Sequence, residues 1–314
     1  MIDFRYHLVS LIAVFLAVAL GIVIGTTALN EPILADIENQ VADLEQDKRA
    51  LEDRTQQLQT DLDTADAFDT AVAPALVDGA LAGSRVLLVV TNEDVAPETV
   101  EDVTTLIGQA GGSVTGTLRL QPEYSDPSSS SALQNYVTGG GRPAGLQLPE
   151  TDDTGKLVAS LLAQVLMIPP GGTAPDGAAV STVLAGLESL DVVAQDTAVA
   201  PADHALVLTA GAFSGDDAAE RSATLVELMS ALDAAGSGAV VAGDFGSAAE
   251  TGLVGVVRAD PTASAAVSTV DNVATTSGQI SSVLALARES EGTSGKYGTG
   301  EDTQPVPPVP AAAP

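Results

Sequence analysis

The feature that most constrains this chain is an uncharged apolar run that begins at Leu8 and ends at Gly25. Its 18 residues match the roughly 17–25 that a membrane-spanning helix needs. A secretory signal usually has a basic start and a shorter apolar core of about 7–15 residues. We therefore predict a retained transmembrane anchor at residues 8–28, with cleavage after the small residues Thr26 and Ala28 as the alternative.

The basic residues around this run indicate its orientation. Arg5 precedes the run, and no Lys or Arg follows it until Lys48. Lys and Arg concentrate on the cytoplasmic side of membrane spans. The sequence thus predicts a single-pass protein with residues 1–7 in the cytoplasm and the bulk of the chain outside the cell membrane.

The charge balance and the absence of cysteine exclude several functions. The chain has 42 acidic and 12 basic residues, for a formal charge of −30, so it repels nucleic-acid phosphates and anionic lipid heads. We expect no nucleic-acid partner. Cysteine is absent, which rules out disulfides, thiolate catalysis and cysteine-based metal sites.

The acidic segment 31–72 has the spacing of a coiled coil. Its apolar positions alternate four and three residues apart, and this narrow seam is typical of a helix that pairs with a second copy. The alternative is an amphipathic helix packed on its own domain. We predict a parallel dimer, because polar residues within the seam cost stability but fix register. The predicted seam consists of Ile37, Val41, Leu44, Lys48, Leu51, Thr55, Leu58, Leu62 and Ala65.

Residues 84–290 alternate short apolar runs with helical patterns. "RVLLVV" reads as a buried strand, "APETVEDVTTLIGQA" as a helix that ends at glycines, and "SVTGTLRL" as the next strand. Such β-α-β alternation with short links predicts an open, mostly parallel, layered α/β domain. The loops "EYSDPSSSS" and "TGGGRP" and the Gly/Pro-rich tail 291–314 are predicted to be flexible or disordered.

No pattern in this domain predicts catalysis, a bound cofactor or a metal site. The loop "VVAGDFGSAAE" lacks both G-x-G-x-x-G spacing and a Walker lysine. His204 is expected at an ordinary strand edge. The pairs Asp152–Asp153 and Asp216–Asp217 are interpreted as helix-start residues that complement the helix dipole. We therefore expect a non-enzymatic protein.

Several stretches together resemble the actinobacterial MctB family, named for a mycobacterial copper transport protein. The resemblance covers nearly the whole chain except the Pro-rich tail. It is carried by the heptad segment and by the stretches "MIDFRYHLVSLIAVFLAVALGIVIGTT", "RVLLVVTNED", "VSTVDNVATTSGQISSVLALARE" and "KYGTG".

The resemblance implies copper efflux or resistance through an outer-membrane channel, and hence copper as a ligand and the outer membrane as an alternative location. A similar corynebacterial member, SteB, is instead associated with cell separation, together with a partner, SteA, that influences a peptidoglycan hydrolase. The sequence thus leaves two function classes: copper transport or homeostasis, and a scaffold or regulator of envelope assembly with an envelope or division partner.

The residues themselves do not favour a channel or a copper site. Membrane barrels need many alternating strands of about 10 residues, whereas the apolar runs here are short and separated by helices. Copper(I) prefers cysteine and methionine, and imidazole also suits copper. Beyond Met1 and His7, the chain offers only Met167, Met229 and His204.

Overall fold

The computed structural model describes residues 3–139, 143 and 145–308, except for the side chains of residues 3, 26–36 and 38. Predicted features on residues 1–2, 140–142, 144 and 309–314 lie outside this description. The chain divides into two compact units, residues 1–65 and 66–314. Helix α1, Asp3–Val77, supplies the first unit and begins the second.

The second unit is built on a seven-stranded sheet with the order β3-β2-β1-β4-β5-β6-β7. All neighbouring strands are parallel except β2 and β3, which are antiparallel. The predicted mostly parallel α/β fold is therefore confirmed. The strands are β1 (Arg85–Val90), β2 (Ser113–Leu120), β3 (Val193–Gln195), β4 (His204–Thr209), β5 (Ala239–Gly243), β6 (Ser268–Val270) and β7 (Lys296–Tyr297).

Helices connect the strands and cover both faces of the sheet. Their apolar spacing and caps follow the sequence: the helix Pro97–Gln109 begins with a proline, and Asp153 caps the helix Thr154–Leu166 by accepting from the Lys156 backbone amide. The helices after α1 are α2 (Pro97–Gln109), α3 (Ser130–Thr138), α4 (Thr154–Leu166), α5 (Gly177–Glu188), α6 (Ala218–Ala235), α7 (Leu253–Ala259), α8 (Pro261–Ala266) and α9 (Thr276–Ser290).

Two apolar cores lie on opposite faces of the sheet. In β1, Leu87 and Val89 join the core formed with α3 to α7, whereas Leu88 and Val90 join the core formed with α2 and α9. The alternation follows from the two-residue period of a strand, and burial on both faces explains the continuous run "RVLLVV". The domain is thus a sheet between two helical layers.

The domain begins earlier than the predicted residue 84. Helix α1 continues past residue 72, and Ala73 and Val77 are buried in the same core as α2 and α9. Thr276, the first residue of α9, donates its backbone N–H to Asp66 Oδ1 at 3.2 Å. The last turns of α1 therefore belong to the α/β domain.

The predicted tail and one predicted loop are partly ordered. Tyr297 is buried in β7, and the Gln304 amide donates to the Lys296 carbonyl at 2.9 Å. The expectation of disorder from residue 291 was therefore wrong for this part of the tail. The serine-rich loop contains two 3-10 turns, Pro127–Ser129 among them, and leads directly into α3. Sequence reasoning missed these elements because their apolar residues are few.

Candidate functional site

The predicted coiled-coil seam lies on the surface of α1. Its six large apolar side chains are each at least half exposed, from 50% for Ile37 to 73% for Leu44. The three remaining seam positions, Lys48, Thr55 and Ala65, are exposed as well. A regular row of exposed large apolar side chains is typical of an interaction surface, which agrees with the predicted seam.

The polar seam residues are occupied within the helix. Lys48 Nζ lies 3.4 Å from Glu52 Oε1, and Thr55 Oγ1 donates to the Leu51 carbonyl at 2.8 Å. Both interactions are local to α1, so neither ties the seam to another element. The seam is therefore available to a partner, and the dimer stays a prediction.

The first part of α1 is long and apolar enough to cross a membrane. The segment Phe4–Gly25 has 22 residues and a mean hydropathy of 2.9, and none of its most apolar part is buried. A signal sequence near the N-terminus passes the same test of length and composition. The helix itself thus agrees with an anchor, and whether it is retained stays a prediction.

The candidate copper ligands of the domain are packed inside it. Met167, Met229 and His204 are at most 3% exposed. The sequence analysis expected His204 at a strand edge, and this expectation was wrong. His204 lies on the central strand β4, between β1 and β5. Burial lowers the pKa of its imidazole, although the charge of Asp203 opposes this. Among the described residues, no three His, Asp or Glu side chains are grouped to hold a metal.

The acidic pairs mark helix starts, as predicted, but only one of the N-cap side chains forms a cap. Asp153 accepts from the Lys156 backbone amide at 3.3 Å, whereas Asp217 makes no such bond at the start of α6. Asp153 also faces Glu227 on α6. Burial and then the charge of Asp153 raise the pKa of Glu227 to about 7.

A crevice of about 280 Å³ lies at the carboxyl ends of β1 and β4. In the sheet, β2 and β3 lie on one side of β1, and β4 to β7 lie on its other side. The strand order therefore reverses between β1 and β4. Ligands of open α/β sheets bind at such points. The crevice is lined by the residues that come directly after these two strands: Thr91 and Asn92 after β1, and Ala210 and Gly211 after β4.

Sequence reasoning did not find this crevice. Which strands become neighbours depends on sheet order, and the apolar runs do not reveal that order. The signal available was the polar stretch "TNED" after β1 and the glycine- and alanine-rich stretch "TAGAFSG" at the end of β4.

Comparison with known proteins identifies the family. The family described as "Copper transport outer membrane protein, MctB" matches residues 1–308. The chain belongs to the MctB family. Proteins named "Copper transporter MctB" from Mycobacterium bovis and Mycobacterium tuberculosis are 34% identical over 312 residues, which covers 98% of this chain and 99% of theirs. The one from Mycobacterium leprae is 34% identical over 309 residues, 96% of this chain and 97% of its own.

Two of the stretches that carry the MctB resemblance meet in the fold. "STVDN" forms β6 and the turn after it, and "KYGTG" forms β7 beside it. Asp271 of the first stretch accepts from the backbone amides of Thr299 and Gly300 in the second, at 2.7 and 3.0 Å. These two stretches of the resemblance therefore form one contact, in which the chain after β7 is held against the turn after β6.

Proposed function

We propose that this chain is a non-enzymatic, single-pass membrane protein that takes part in copper transport. The observation that carries the proposal is the family match over residues 1–308. The relatives named copper transporters also match this chain over 97–99% of their own length. The apolar segment Phe4–Gly25 supports the anchor, and Arg5 before it supports a cytoplasmic N-terminus.

The chain's role in copper transport is accessory rather than that of a pore. The described part of the chain contains one helix long and apolar enough to cross a membrane, and one helix encloses no channel. Thiolate ligands are absent, and both thioethers of the domain are buried against apolar neighbours where packing accounts for them. The chain acts through a partner protein that it positions at the membrane.

Self-association of α1 supplies the second element of the proposal. The exposed heptad seam fits a parallel coiled coil, in which two copies emerge from two adjacent anchors. A pair of α1 helices brings two copies of the chain together and so offers a partner two equivalent copies. The partner is an envelope protein.

A deletion strain tests this function directly. We expect the strain to lose copper tolerance on graded copper plates and to regain it with the full-length gene. A copy with Leu51→Asp and Leu58→Asp should fail, because charge in a buried seam is costly. The matched control carries Gln46→Asp and Gln57→Asp, which add the same charge to exposed outer positions of α1 and should restore tolerance.

Microscopy of the same strains separates the two function classes. Normal copper tolerance together with cells that fail to separate would contradict the copper role and favour an envelope or cell-separation role. Wild-type tolerance and morphology in the deletion strain would contradict both.

A further inference from the structure

The apolar seam of α1 is flanked on both sides by charged residues, most of them acidic. With Leu44 and Leu51 at position d of the heptad, the flanking positions are e and g. Asp47 and Glu52 line one groove together with Leu44 and Leu51, so these flanks lie directly beside the apolar row. Between residues 37 and 65 the acidic flanking residues are Glu38, Glu45, Asp47, Glu52 and Asp61, and the one basic flanking residue is Arg54.

The acidic flanks are only partly neutralised within one helix. Glu45 Oε2 lies 3.1 Å from Arg49 Nη2, and Glu52 is paired with Lys48. Asp47 and Asp61 are exposed and form no ion pair with a cation among the described residues. Each copy of α1 therefore presents uncompensated negative charge beside its seam.

A parallel pair of α1 helices would place like charges opposite each other. In such a pair, a residue at position g of one helix faces the following e position of the other helix. Asp47 of one copy therefore faces Glu52 of the other. The other two contacts of this kind between residues 37 and 65 each join a glutamine to a charged residue. No flank contact of this segment joins opposite charges, so the flanks oppose the pairing that the apolar row favours.

The strength of this opposition depends on the salt around the helices. Residues 37–65 contain eight acidic and three basic residues, for a formal charge of −5 per copy. The axes of packed helices lie about 8–10 Å apart. The distance over which salt screens charge is about 30 Å at 0.01 M and about 8 Å at 0.15 M ionic strength. The two copies therefore repel strongly in dilute solution and much less at physiological salt.

We infer that α1 pairing is a switch that responds to ionic strength through the like charges on the flanks of the seam. Two copies pair firmly at physiological salt and weakly in dilute surroundings. The inference rests on the proposed function, because it describes the regulation of the self-association proposed there. The two copies that a partner protein meets together are then available only when salt screens the flanks.

Sedimentation equilibrium of the full-length protein tests the switch. The protein is held in an uncharged detergent, and the dissociation constant of the dimer is measured at about 0.01 M and about 0.15 M sodium chloride. We expect the constant to fall at least about fivefold as the salt rises, because the repulsion between the copies is screened. A dimer whose constant stays the same or rises would overturn this inference and leave self-association intact. A monomer at both salt concentrations would contradict self-association as well.

Two variants with the same change in net charge separate the flanks from the rest of the helix. Asp47→Lys with Asp61→Lys places cations on the flanks, so its dimer should be at least about tenfold tighter than the wild type at low salt and should weaken as salt rises. Asp43→Lys with Asp53→Lys changes exposed positions away from the seam, and its dimer should still tighten as salt rises. Circular dichroism checks that both variants keep their helices. Equal salt responses of the two variants would overturn the inference, since the flanks would then not set the response.

Discussion

Arg258 holds Asp271 through a hydrogen bond of 2.7 Å from Nη1 to Oδ2, and the Asp271 side chain is fully buried. The same guanidinium donates from Nη2 to the Tyr297 carbonyl at 2.8 Å and from Nε to Thr269 Oγ1 at 2.9 Å. One side chain of α7 thus joins β6 to the C-terminal strand β7. This explains why a stretch rich in glycine is ordered.

Replacing Arg258 by methionine should release the C-terminal strand. The change leaves Asp271 buried without its cation, and breaking a buried pair costs about 3–5 kcal/mol. We expect a lower melting temperature and rapid trypsin cleavage after Lys296, whose Nζ donates to the Arg258 carbonyl at 3.1 Å in the wild type. Arg288→Met removes a more exposed pair with Glu291 and should cost under about 1 kcal/mol. Equal effects of the two changes would contradict the argument.

Glu289 should make the domain less stable as the pH rises. Its carboxylate accepts from the Ser268 amide at 2.7 Å, and burial raises its pKa from 4.5 to about 7. The folded state therefore binds a proton that the unfolded chain releases near pH 4.5. Stability from this group is full below pH 4.5, falls as the pH rises to about 7, and is constant above that.

Glu289→Gln tests this pH dependence. The amide keeps an acceptor for Ser268 but does not ionise, so the loss of stability between pH 5 and pH 8 should shrink by roughly 1–2 kcal/mol. Thermal unfolding at both pH values measures it. Glu301→Gln, at an exposed position, is the control and should leave the pH profile unchanged. A profile for Glu289→Gln that matches the wild type would show that Glu289 is ionised in the fold.

The α1 seam should make the protein a dimer in detergent. Light scattering with size-exclusion chromatography should give two copies per particle for the wild type. Leu51→Asp with Leu58→Asp should give one, since the paired helices would bury four unpaired charges. The Gln46→Asp and Gln57→Asp control should remain dimeric. A wild type that is monomeric at high micromolar concentration would contradict the seam.

The apolar segment should remain in the mature protein. Its length exceeds that of a usual signal core, and it lacks a strongly basic start. Intact-mass measurement on the membrane fraction should include residues 8–25. A mature N-terminus near Leu29 would show that the segment is a cleaved signal.

The protein should not bind copper(I) tightly. Met167 and Met229 are packed in the apolar core and His204 is buried in a central strand, so a metal would have to disrupt packing to reach them. Titration of the full-length protein against a competing copper(I) chelator should give no stoichiometric complex at nanomolar affinity. Such a complex, lost on changing Met167 or His204, would contradict an accessory role.

Features that depend on local pattern were predictable from the sequence. Strand β1 is buried on both faces and so has a continuous apolar run. Helix α2 is buried on one face and so has apolar residues at helical spacing, such as Val103 and Ile107, and these patterns predicted both elements. The central position of His204 and the crevice beside Asn92 depend on which strands become neighbours. The ordering of Tyr297 depends on Arg258, 39 residues earlier, and no local pattern reports such a contact.

The sheet ends on both sides in very short strands, β3 with three residues and β7 with two. Each offers a neighbouring copy little free backbone to pair with, and a long free edge is what drives sheets to join into aggregates. The short outer strands thus limit pairing between the sheets of neighbouring copies, so each sheet stays separate when copies meet.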